Sequence, residues 1–113
     1  MPASLQFQST SLADGVVIRP EGEIDLSRSP ELRARLRDEL TRAPRRLVID
    51  LGGVPYMDSS GVATLVEALQ RARSAGCKLV LADLQPKVRS IFAISRLDTV
   101  FTIADSLDIA VQG

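Results

Sequence analysis

The chain contains no histidine and a single cysteine, Cys77. Without histidine, imidazole general-base chemistry and histidine-ligated metal sites are excluded. One cysteine cannot close a disulfide within the chain, and Cys77, at the expected start of a strand, reads as a small core residue. No apolar run approaches the roughly 20 residues of a membrane span. The N-terminus has no basic segment followed by an apolar core, so no signal peptide is expected. Neither sign of charge is in excess: 14 Lys and Arg face 14 Asp and Glu, for a formal net charge of zero. That balance argues against direct nucleic-acid binding, which needs a basic surface to displace counterions, and against a polybasic membrane anchor. The expectation is one cytoplasmic domain over residues 1–113, with no room for a second core.

What the chain does have is concentrated between Leu47 and Val62. Leu47-Val48-Ile49 is an apolar run short enough for one buried strand. Gly52-Gly53 and Pro55 then break regular structure. Asp58, Ser59 and Ser60 follow, and behind them Val62, Leu65, Val66 and Leu69 fall on one helical face. A buried strand thus leads through a tight loop into a helix whose first turn carries two hydroxyls and a carboxylate.

The rest of the chain builds a scaffold around that junction. Leu5, Phe7 and Ser9 alternate with Gln6, Gln8 and Thr10 as in a half-buried strand. Asp14-Gly15 is a turn signal, and Val16-Val17-Ile18 is a second strand pairing antiparallel with the first. Pro20 and Gly22 interrupt before Glu23-Ile24-Asp25. Ser29-Pro30 reads as a capping hydroxyl followed by proline at the first helical position. Leu32, Leu36 and Leu40 form the apolar stripe of that helix, and its charged residues form a solvated face with local pairs. The next strand begins near Arg46, and the intervening helix suggests a crossover to a parallel neighbour.

The second helix is expected over residues 60–74, with Gly76 as its C-terminal stop, and Lys78–Ala82 as another buried strand. Pro86 starts a third helix with Val88, Ile91, Phe92 and Ser95 inward. Residues 100–103 form a short last strand, and Asp105 or Ser106 caps a final helix bearing Leu107, Ile109, Ala110 and Val111. The fold class is α/β: a mixed, mostly parallel sheet with an antiparallel edge and helices mainly on one face.

Catalysis at the junction lacks its parts. A serine nucleophile has no histidine base, and Met57-Asp58-Ser59 lacks the glycine two residues before the serine that a nucleophile elbow needs. The glycines have neither the spacing nor the Lys-Ser/Thr ending of a phosphate-binding loop. A purely structural role is open: Asp58 or Ser59 caps the helix and the other hydroxyl faces water. A phosphoacceptor role is also open. A phosphoserine carries about −1.5 to −2 charges at pH 7, and a helix N-terminus offers it free amides and the positive end of the dipole.

With these residues in place the sequence resembles the STAS domain family, specifically bacterial anti-sigma factor antagonists. The segments that carry the resemblance are Gly22-Glu23-Ile24-Asp25, Val48-Ile49-Asp50-Leu51 and Met57-Asp58-Ser59-Ser60-Gly61, with Val80-Leu81-Ala82 and Ile94-Ser95-Arg96-Leu97 later. The resemblance implies a partner switch without a cofactor or metal. The unphosphorylated antagonist binds an anti-sigma factor that is also a serine kinase and so frees a sigma factor. Phosphorylation at the position of Ser59 releases the partner, and a serine phosphatase restores the antagonist. It further implies a partner-binding surface around Glu23, Asp25, Asp58, Ser59, Ser60 and Gly61, on a protein expected to be a monomer and not an enzyme. The competing reading is a STAS subunit of another assembly, such as a transporter-associated module, that binds without phosphorylation. Ala63 departs from the common family pattern, as does Arg96, which stands where glycine is frequent and bears on the loop before the last strand.

Overall fold

The computed structural model describes residues 4–112. Five strands form one sheet in the order β1-β2-β3-β4-β5. β1 (Gln6–Leu12) and β2 (Gly15–Glu21) make the antiparallel hairpin around Asp14, with Ser9 opposite Ile18. β3 (Arg46–Asp50) is central and lies parallel to β2 on one side and to β4 (Lys78–Ala82) on the other; β5 (Thr102–Ala104) closes the far edge, parallel to β4.

Three helices cover one face: α1 (Ser29–Thr41), α2 (Ser59–Ser74) and α3 (Pro86–Ile94). Under them lies the main core, in which Ile18, Leu47, Ile49 and Leu81 of the sheet meet Leu32 and Leu36 of α1, Leu65 and Leu69 of α2, and Val88 and Phe92 of α3. A second, smaller core of Val17, Val48, Val80, Ala82 and Ala104 packs under α4 (Leu107–Gln112) on the opposite face. The alternation within β3 explains the two cores: Leu47 and Ile49 point one way and Val48 the other. Arg46 fastens α4 to the sheet, one guanidinium nitrogen donating to the carbonyls of Ala110 and Val111 at 3.2 and 3.1 Å. Cys77 is buried in the main core, where desolvation pushes its thiol pKa up.

Several boundaries differ from the sequence expectation. Strand β2 continues through Pro20, which lies beyond Ile18, the last residue paired with β3, so the missing amide removes nothing from that parallel ladder. Ser9 is exposed and does not share the inward side with Leu5. Ser29 is no cap: Arg28 holds the N-cap position without a side-chain bond, and Ser29 is buried inside the helix. Asp25 instead holds the turn that leads into the helix: its carboxylate accepts from the amides of Ser27 and Arg28, both at 3.1 Å, and its backbone carbonyl accepts from the Ser29 amide at 2.8 Å. Residues 97–99 form a short 3₁₀ turn, so the last strand starts later than the apolar run suggests, at Thr102.

Between the two capping candidates for α4, Ser106 accepts from the amide of Ile109, while Asp105 pairs with Arg89 at 2.7 Å. Ile109 is exposed, and Ser95 also faces out, donating its hydroxyl to the carbonyl of Ile91. Gly76 does stop α2, one residue after the C-cap at Ala75 and in the left-handed region.

Candidate functional site

The site forms where the C-terminal ends of the strands turn into loops. Beyond β3, Asp50 is buried on the α4 side of the sheet and pairs with Arg19 at 3.0 Å. The hydrogen bond that Arg19 donates to the Asp50 carboxylate is the main cause of a raised Arg19 pKa. The other Asp50 carboxylate oxygen accepts from the amide of Gly52 at 2.9 Å, which starts the tight turn. A Cβ at position 52 would lie 2.5 Å from the Asp83 carboxylate and 3.0 Å from the Arg19 guanidinium, so a larger residue there would displace these side-chain ends. Gln85 adds a bond to the Gly52 carbonyl at 2.8 Å. The turn is therefore held by the end of β3 on one side and by the residue that leads into α3 on the other.

The chain then runs beside residues 22–24. Gly22 donates to the Gly53 carbonyl, Ile24 to the Tyr56 carbonyl, and Asp58 to the Ile24 carbonyl, at 3.0, 3.0 and 3.1 Å. Ile24 and Met57, both fully buried, make an isolated parallel bridge. These bonds bring Glu23 and Asp25 beside the start of α2, although more than 30 residues separate them along the chain. Glu23 is exposed, and Asp25 is half-buried, with its pKa lowered first by the Ser27 hydroxyl.

At the helix start the three polar residues have different roles. Asp58 is the N-cap, in extended conformation, and its carboxylate accepts from the amides of Ser60 and Gly61 at 2.9 and 3.3 Å. The Ser60 hydroxyl also donates to that carboxylate and, more than any other contact, lowers the Asp58 pKa; the amides of Gly61, Ser60 and Leu26 add to the effect while burial opposes it. Ser60 is half-buried, and its carbonyl accepts from the Thr64 hydroxyl at 2.9 Å. Ser59 occupies the first helical position, is exposed, and makes no side-chain hydrogen bond among the described residues. Gly61 is buried; a Cβ there would lie 2.5 Å from Met57 and 2.8 Å from Ile24, so its contribution is the close approach of the helix to the loop pair.

Beside Ser59 is an open groove of about 520 Å³, lined by Tyr56, Met57, Val62, Ala63, Ile91 and Ser95 with Asp58 and Ser59 on its edge. Tyr56 and, farther along α3, Ile94 are exposed, as is Leu26 in the neighbouring loop. Sequence reasoning placed Val62 and Ile91 on core faces. Both are only half-buried and face this groove, because the inner face of α2 is the stripe Gly61, Thr64, Leu65, Ala68, Leu69 and Ala72. The signal for the groove was weak: an apolar residue at a stripe's margin reads the same whether it packs inward or lines a cleft.

No cluster of His, Cys, Asp and Glu suited to a metal ion is found among the described residues, and no helix among them is long and apolar enough to cross a membrane. Comparisons with known proteins agree on the family. The chain is 32% identical over 98 residues to BtrV of Bordetella bronchiseptica, spanning 86% of this chain and 84% of that protein. It is 32% identical over 90 residues to the anti-sigma-B factor antagonist of Listeria monocytogenes, spanning 80% and 79%. The solved structure of an anti-sigma factor antagonist from Mycobacterium paratuberculosis superposes with a TM-score of 0.85 at 26% identity, covering 99% of this chain and 95% of that one. The model of the STAS domain matches residues 6–110, and with the sheet order and strand-to-helix junction described above, the chain belongs to the STAS domain family.

Proposed function

We propose that the protein is an anti-sigma factor antagonist that works as a partner switch, with Ser59 as its phosphoacceptor. The observation that carries the reading is the contrast at the start of α2, where Ser59 alone presents an exposed hydroxyl with no side-chain bond. The name of the Listeria relative supports the biological role. The unmodified protein, acting as a monomer in the cytoplasm, binds an anti-sigma factor with serine kinase activity and so frees a sigma factor. It acts by binding and needs neither cofactor nor metal; the chemistry belongs to the partner and to a serine phosphatase that reverses it.

The groove offers that partner an apolar surface; Asp58 sets a carboxylate next to the acceptor, Glu23 lies exposed in the neighbouring loop, and Asp25 there is paired with Arg28 at 3.0 Å. Phosphorylation moves the γ-phosphoryl group of ATP to the Ser59 oxygen, releasing ADP and the hydroxyl proton. The helix amides tolerate the product, so the scaffold persists. A partner packed over Ser59 must then accommodate a dianion beside existing carboxylates. At an effective dielectric near 20 and a separation of about 4 Å each like-charge pair costs roughly 4 kcal/mol. Even half of that weakens affinity more than tenfold.

The test is incubation with ATP and an anti-sigma factor kinase from the same cytoplasm, read by intact mass. One phosphate is expected on the wild type, none on Ser59→Ala, and one on Ser60→Ala. Binding of the kinase by Ser59→Ala but not by Ser59→Asp completes the switch. Stable partner capture with no phosphate uptake would favour a binding subunit of another assembly.

A further inference from the structure

We infer that Asp58 decides which of the two adjacent serines can carry a phosphate, and that it does so through the fold. The biological meaning of this rests on the proposed modification of Ser59, but its physical content can be tested without any kinase. Along the chain Ser59 and Ser60 are equivalent neighbours, both in the first turn of α2. Their hydroxyls are not equivalent. That of Ser60 donates to the Asp58 carboxylate, which also gathers the amides of Ser60 and Gly61, whereas that of Ser59 is exposed.

Phosphoryl transfer forms a bond from the serine oxygen to the γ-phosphorus of ATP, breaks the bond to ADP and releases the hydroxyl proton. At Ser59 the new dianion enters solvent beside helix amides that favour negative charge. At Ser60 the same step removes the hydrogen that Asp58 accepts and sets a dianion against a carboxylate at contact distance. The two anions cannot share that space, so Asp58 must leave. Its departure uncaps α2 at the Ser60 and Gly61 amides. A phosphate on Ser60 therefore damages the scaffold, and a phosphate on Ser59 leaves it whole.

The experiment installs phosphoserine at position 59 or 60 by amber suppression, in the wild type and in Asp58→Asn, and measures thermal unfolding. Asparagine caps about as well as aspartate, so the variant keeps the cap and loses only the charge. Phosphoserine at 59 is expected to leave Tm within about 3 °C of the unmodified protein, and at 60 to lower it by about 10 °C or more. Asp58→Asn should recover at least half of the deficit at 60. Equal shifts at the two positions would overturn the inference. So would a deficit at 60 that Asp58→Asn leaves unchanged, including failure to fold in both backgrounds. Should Asp58→Asn itself not fold, urea midpoints of Ser59→Asp and Ser60→Asp decide: a lower midpoint for Ser60→Asp is required. If no kinase modifies Ser59, the proposed switch fails while these melting results stand.

Discussion

Single residues decide how the start of α2 behaves. Ser60 lowers the Asp58 pKa by bonding the charged carboxylate, with amides adding to it. A carboxyl whose folded pKa lies below its unfolded value, about 3.9 for aspartate, contributes stability that is complete above that value. The contribution is lost as pH falls through the depressed folded value. Asp58→Asn should therefore flatten the acid limb of the stability curve below about pH 4, its charge-dependent contribution being absent at neutrality as well as in acid; urea unfolding at a series of pH values checks this.

A second residue-scale case is Arg96, which takes a φ of 61° just before the 3₁₀ turn. An L side chain in the left-handed region costs about 1–2 kcal/mol, partly offset because glycine has more freedom to lose on folding. Arg96→Gly should stabilise the protein by up to about 1 kcal/mol, visible as a higher urea midpoint with an unchanged slope. The left-handed conformation explains why glycine suits this position, and the loop keeps that conformation with arginine in place.

At the scale of elements, the close seat of α2 against the two loops depends on small residues. Gly61→Ala places a methyl 2.5 Å from Met57 and 2.8 Å from Ile24. The Met57 side chain is flexible, but Ile24 is β-branched and fully buried, so the helix start must shift. A loss of about 1–3 kcal/mol is expected, together with weaker partner binding, because the shift moves Ser59. One turn farther along the same inner face of the helix, Leu65 is fully buried in the main core. Leu65→Ala should cost about 2–5 kcal/mol without altering the local geometry of Asp58 and the serines. Comparing these two variants for stability and for phosphate uptake separates the seat of the helix from its bulk packing.

For the molecule as a whole, the junction is a single surface joined to the pair of half-buried Arg19 and buried Asp50 through the turn at Gly52. Asp50→Ala removes both the partner of Arg19 and the acceptor of the Gly52 amide. Because Arg19 is 33% exposed and can still reach water, the cost should stay near 1–3 kcal/mol, the cost of one buried polar group left unpaired. The groove makes the opposite prediction. Ile91→Asp puts a charge on a half-buried wall with little core behind it, so stability should change by less than about 1 kcal/mol. Partner affinity, measured by calorimetry, should drop at least tenfold, since an unpaired charge then lies in the docking surface.

Much of this was legible in the order of the residues. The apolar stripe at Leu32, Leu36 and Leu40, the buried run before Asp50 and the stop at Gly76 each follow from local periodicity or turn chemistry, and each lies where expected. The pattern could also show that Asp58, Ser59 and Ser60 crowd one helix start. It could not divide their tasks, because two adjacent hydroxyls look alike until a carboxylate chooses one of them. Nor could it say that Ser29 would be buried and cap nothing, that β2 and β4 would flank β3, or that Val62 and Ile91 would line a groove. Those outcomes depend on contacts between segments far apart in the chain, such as the bonds of Ile24 to Tyr56 and Asp58. Local sequence determined which elements form, through backbone preference and apolar spacing. Only their packing decided which serine is free, because that depends on where a single hydrogen bond goes.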